Sequence, residues 1–184
     1  MTAEIALVAV LLVGIGVWLT LARANRIDLL HQKVTRSAAT LDAQLLRRAG
    51  LAAELARSGI LDPATSILLG GAAEECLSHD PMPSDAALPD VLAGDHFGPH
   101  REQAESDLTR VLREGLQGAD LTEDPLVADV LTAWRRAGYA RRFHNDAVAQ
   151  TIRLRSKLSV RLLRLAGHAP MPRMVDLDDA LPTA

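Results

Sequence analysis

Residues 5–22 read IALVAVLLVGIGVWLTLA, an apolar run without a charge, preceded by Glu4 and followed by Arg23. As a helix rising about 1.5 Å per residue, the run is about 27 Å long. That is close to the ~30 Å of a bilayer's hydrocarbon core. A helix satisfies its own backbone in lipid, and Trp18 stands near the distal end, where an aromatic anchor belongs. A cleaved signal peptide needs a basic n-region, and residues 1–4 contain no Lys or Arg. A buried core helix needs an apolar surround that the rest of the chain does not supply. The residues therefore favour a membrane anchor over 1–23. Arg23, Arg26, Lys33 and Arg36 follow the run, whereas only Glu4 and the N-terminus precede it. Positive residues stay on the cytoplasmic side. The expected placement is thus a single pass of the inner, cytoplasmic membrane, with the N-terminus outside and the body cytoplasmic.

Beyond the run, no Gly or Pro occurs between Arg23 and Arg48, so the anchor continues as a helix. Ile27, Leu30, Val34, Ala38, Leu41, Leu45, Ala49, Ala52 and Leu55 recur in steps of three and four, the seam of a bundle or coiled-coil helix. Gly59 ends it. Asp62-Pro63 and Asp124-Pro125 are two further start signals, a capping side chain followed by proline in the first turn. The first opens a short helix to about Ser78, and the second a long one to about Ala166. A second short helix is expected over 101–117, with Leu108, Val111, Leu112 and Leu116 on its buried face. Prolines 81, 83, 89 and 99 mark 79–100 as a loop. The tail over 167–184, Pro-rich and then acidic, is expected to be irregular. The fold class is all-α: a transmembrane helix running into an antiparallel bundle over 24–166, with two long and two short helices.

A core with only 3% aromatic residues must be filled by Leu, Val and Ala, which suits close-packed helices. One cysteine, Cys76, excludes a disulfide framework and a thiolate zinc knuckle. The formal charge of −3 speaks against a nucleic-acid partner. That sum hides a segregated molecule. Residues 23–48 carry six bases and two acids, 54–129 four bases and sixteen acids, and 135–164 nine bases and one acid. Acidic short helices packed beside basic long ones explain part of this. The remainder points to lipid at the end of the last helix, where Arg153, Lys157, Arg161 and Arg164 fall on one helical face beside Leu158, Leu162 and Leu165. Trp18, Arg23 and Arg26 complete the expected membrane contacts.

Ala140-Arg141-Arg142-Phe143-His144-Asn145-Asp146-Ala147-Val148 resembles the Arg-Arg-x-Tyr-Asn-Asp-Ala-Val signature of the bacterial LemA family of membrane proteins. Leu45-Leu46-Arg47-Arg48, with Leu51 and Leu55, is similar to that family's Leu-x-Arg-Arg stretch. His144 stands in place of the signature tyrosine, so the resemblance is to a divergent member. It implies a helical bundle held at the cytoplasmic membrane, with no established enzymatic activity. His144, Asn145 and Arg141 read as a polar island that is either a register-fixing device or a pocket.

His79, His96 and His100, with Asp80 and Asp95, crowd one loop, but Gly98-Pro99 interrupts the spacing that a metal site on a helix would need. A metal-dependent hydrolase is therefore a remote alternative, and no cofactor or metal is expected. Glu74 and Glu75 beside Cys76 disfavour a thiolate. The leading expectation is a non-enzymatic scaffold or adaptor with a protein partner. The alternative is a membrane-surface organiser that contacts anionic lipid and self-associates.

Overall fold

The computed structural model describes residues 2–82, 91, 95–117, 124–162 and 169–182. Every regular element among them is helical: α1 (Thr2–Arg57), α2 (Pro63–Leu77), a 3-10 turn (Asp95–Phe97), α3 (Pro99–Leu116), α4 (Pro125–Arg155) and α5 (Leu158–Leu162). α1 is one uninterrupted helix of 56 residues, about 84 Å long. Its N-terminal part is long and apolar enough to cross a membrane, and none of the other described residues covers it.

The seam read from the sequence is the buried stripe of α1. Eight of its nine residues lie below 2% exposure, from Ile27 to Leu55, and only Leu30 is partly open. α4 packs along this stripe. Close to the apolar end, Ile27 meets Leu154 and Val160. Farther on, Val34 meets Ala147 and Val148, and then Ala38, Leu41 and Leu45 meet Ala137 and Ala140. The α1 numbers rise as the α4 numbers fall, so the two helices run antiparallel. α2 and α3 join only at the far end, where Leu55, Leu69, Cys76, Leu108, Leu112 and Trp134 form the largest core cluster. The alanines shared between α1 and α4 allow the helices to approach closely.

Both expected start signals act as read. Asp62 Oδ1 accepts from the N–H groups of Ala64 (3.0 Å) and Thr65 (3.1 Å), and Asp124 Oδ1 accepts from Leu126 (2.8 Å). Gly59, at φ 76°, supplies the left-handed residue after α1. α3 begins at Pro99, with Gly98 as its cap, two residues earlier than the periodicity suggests.

The last long helix departs from expectation. α4 stops at Arg155 rather than near Ala166, and α5 is an additional short helix. No Gly or Pro causes the break. Ser156 caps α4 through its N–H to Ile152 O (2.9 Å) and its hydroxyl to Arg153 O (3.0 Å), and Lys157 closes a tight turn on Leu154 O. The turn resets the helical phase. Val160 therefore faces Ile27, while Leu158 and Leu162 are 79% and 87% exposed. The expected apolar stripe and the single cationic face through residue 161 are thus interrupted. Leu165 and Arg164 lie outside the described residues.

The tail over 169–182 is irregular in the sense of having no helix or strand, but it is docked. It runs extended over α3 and α4, with Val175 and Leu177 buried against Leu41, Leu45 and Ala140.

Candidate functional site

The stretch 141–148 on α4 divides between two faces. Arg141 and Asn145, four apart, both reach the tail. Asn145 Nδ2 donates to Val175 O, and Val175 N–H donates to Asn145 Oδ1, each at 2.9 Å. One side-chain amide thus pairs with an extended residue as a neighbouring strand would. Arg141 grips Asp179 with two bonds of 3.1 and 2.8 Å, and Trp134 Nε1 donates to Asp179 O. Gly138 makes room for that carboxylate: a Cβ there would stand 3.0 Å from Asp179 Oδ2. From α3, Glu102 accepts from Asp176 N–H and Arg173, Ser106 accepts from Asp178 N–H, and Arg113 pairs with Asp178.

His144 turns the other way, toward α1. Its Nδ1 lies 3.1 Å from Ser37 Oγ, whose own hydroxyl donates to Val34 O, so the imidazole is the donor to Ser37. The island inferred from sequence is therefore two arrangements, a helix-to-helix bond and a tail clamp. Burial pushes His144 down from 6.5 to about 4, so the folded protein holds it neutral. His31 is lowered too, by burial and by Arg155. Neutral histidines in the fold mean that the unfolded chain binds more protons between pH 6.5 and 4. Stability should be complete above pH 6.5 and fall across that window, with His144 accounting for about 3 kcal/mol by pH 4. His144→Tyr should flatten the loss and leave the smaller His31 part. Denaturation midpoints measured at pH 7, 5.5 and 4.5 check this. Equal slopes in parent and variant would remove His144 from the account.

Arg47 and Arg48 on α1 also divide. Arg47 is exposed, whereas Arg48 is 0% exposed. Arg48 Nη2 meets Glu105 Oε2 at 2.6 Å and Glu105 O at 3.0 Å, and Nη1 donates to Thr109 Oγ1 at 2.8 Å. Beside it, Arg101 Nη2 meets Asp42 Oδ1 at 2.5 Å, and Asp42 Oδ2 accepts the Met82 N–H. His96 Nε2 lies 3.0 Å from Asp42 and 2.6 Å from Arg101. Burial opposes ionisation of Asp42, but the bonds from His96, Met82 and Arg101 outweigh it and hold the pKa below the ordinary carboxylate value. Sequence reading missed this double ion pair. Its signal was present: Arg101, Glu105 and Thr109 form a polar stripe in steps of four beside the apolar stripe Ala104, Leu108 and Leu112.

The loop histidines separate. His96 belongs to the Asp42 pair, while the rings of His79 and His100 face one another at 5.6 Å. Among the described residues no three His, Cys, Asp or Glu side chains converge as metal ligands. Cys76 is buried, and desolvation pushes its thiol up to about 12. That suits a small core residue rather than a nucleophile.

Arg26, Arg153 and Lys157 meet in one cleft of about 290 Å³ between α1 and α4, together with Leu30, Gln150 and Leu154. Arg161 is exposed outside that lining, and Trp18, Arg23, Arg142 and Asp146 are also exposed. Compared with models of protein families, with curated proteins and with solved structures, the chain has no match.

Proposed function

We propose that the chain is a membrane-anchored helical-bundle protein of LemA type, a non-enzymatic scaffold or adaptor at the cytoplasmic membrane. One observation carries this reading. An uncovered apolar segment continues, without a break, into the helix whose buried stripe organises the body. Such a helix fixes the body relative to the bilayer instead of tethering it loosely. The positive residues after the segment support a cytoplasmic body. The buried Arg48 and Glu105, and Arg101 and Asp42, are engaged with one another, as suits a scaffold. Tyr139 and Phe143, four apart and 59% and 70% exposed on α4, offer a face for a protein partner or a second copy.

Removal of residues 1–23 tests the anchor. The remaining chain should leave the membrane fraction and keep its helical circular dichroism and cooperative unfolding. A truncated chain that still sediments with membranes, or one that loses its helices, would contradict the reading. The cationic cleft favours a second role, contact with anionic lipid.

A further inference from the structure

We infer that the cleft between α1 and α4 is a binding site for the phosphate of an anionic phospholipid headgroup. The inference rests on the anchor reading, which sets the height of the cleft. Ile27 is five residues beyond Ala22, about 7.5 Å along the helix axis. Headgroups occupy roughly 5–8 Å outside each face of the hydrocarbon core. Ile27 packs against Leu154 and Val160, so the end of α4 and the middle of α5 stand at that level. The cleft opens there.

Its charge is one-sided. Arg26 comes from α1, Arg153 from the last turn of α4, and Lys157 from the turn before α5. Among the described residues no acidic side chain lines it, and none of the three cations has an ion-pair partner. The nearby Arg155 is not available, since its guanidinium holds the carbonyls of Pro170 and Ala169 at 2.5 Å each. Three unpaired cations, two on helices and one in the turn between α4 and α5, form a concave donor set of the kind a phosphate monoanion needs. The apolar half of a lipid has its counterpart alongside: Leu158 and Leu162, one turn apart on α5 and 79% and 87% exposed, stand near the headgroup level, where the apolar face of an interfacial helix beds toward the acyl chains. The break after Arg155 thus has a consequence for binding. It turns two leucines outward and Lys157 toward Arg26.

Native mass spectrometry of the full-length protein in detergent provides the test. Phosphatidylglycerol, phosphatidylcholine and inorganic phosphate are titrated separately. The parent should retain phosphatidylglycerol and release the other two. Arg26→Gln/Arg153→Gln/Lys157→Gln should weaken phosphatidylglycerol retention by a factor on the order of 100, since each cation near an anionic headgroup contributes about fivefold. The charge-matched control Arg57→Gln/Arg135→Gln/Arg136→Gln removes exposed cations far from the cleft and should bind like the parent. Equal unfolding temperatures show that all three proteins are folded. Equal losses in the two triple variants would overturn the site, as diffuse charge would then explain the binding. Inorganic phosphate held as tightly as the lipid would overturn the lipid assignment. All three proteins should sediment with membranes. A parent found in the soluble fraction would overturn the anchor and this inference together, whereas an anchored parent without lipid preference overturns the inference alone.

Discussion

Arg48→Ala is expected to destabilise the protein by about 3–5 kcal/mol, the typical cost of removing one member of a buried ion pair. The side chain is fully buried and makes three hydrogen bonds, two of them to Glu105. Without it the Glu105 carboxylate, 1% exposed, keeps Arg101 Nε at 4.0 Å and the neutral Cys76 thiol, neither of which replaces the lost guanidinium. Such a charge stranded in a low-dielectric interior is far costlier than the loss of packing alone. Arg48→Lys should recover little, because an ammonium cannot reproduce the planar fork that reaches Glu105 and Thr109 together. Arg48→Met combined with Glu105→Met should recover most of the stability, because both charges go at once. Thermal unfolding of the four proteins, followed by circular dichroism, reads the order. A single Arg48→Ala variant as stable as the parent would show that the pair is not coupled to the fold.

The tail clamp gives the second large effect. Asn145→Ala removes the partner of both the N–H and the C=O of Val175, a residue 2% exposed. Leaving a buried polar group unpaired costs about 1–3 kcal/mol. Arg141→Ala adds the loss of the two bonds to Asp179. The double variant should release the tail while α1–α4 stay helical. Local opening becomes more frequent by one to two orders of magnitude, so the amide of Val175 should exchange faster by that factor, and trypsin should cut after Arg173 at once. Unchanged exchange at Val175 would mean that Leu177 and Val175 hold the tail by packing alone.

The contrast between what could and could not be read from the sequence is physical. The α1 seam and the two Asp-Pro caps are local signals, encoded in three- and four-residue steps and in single capping side chains, and they appear in the fold where expected. The α4 break is not marked by Gly or Pro. It depends on Ser156 finding carbonyls of its own helix and on Arg155 holding the tail, the latter a contact between distant segments. Tail docking was hidden for the same reason. Pro170, Pro172 and the acidic run that follows look like a solvated end, yet Asp178 and Asp179 are ligands for Arg113 and Arg141. The cleft was half legible: Arg153 and Lys157 fall on one face of a continuous helix by spacing, but Arg26 joins them only through the antiparallel packing of α1 on α4.

In the proposed topology α1 crosses the bilayer and carries the body on its cytoplasmic side. Cysteine labelling in intact cells with a membrane-impermeant maleimide tests it most directly. In a Cys76→Ala background, one cysteine is placed at Ala3, before the apolar segment, and another, in a separate protein, at the exposed Ala128 on α4. Ala3→Cys is expected to react in intact cells, and Ala128→Cys only after permeabilisation. The reverse pattern would contradict the orientation, and two cysteines that both wait for permeabilisation would contradict the crossing itself.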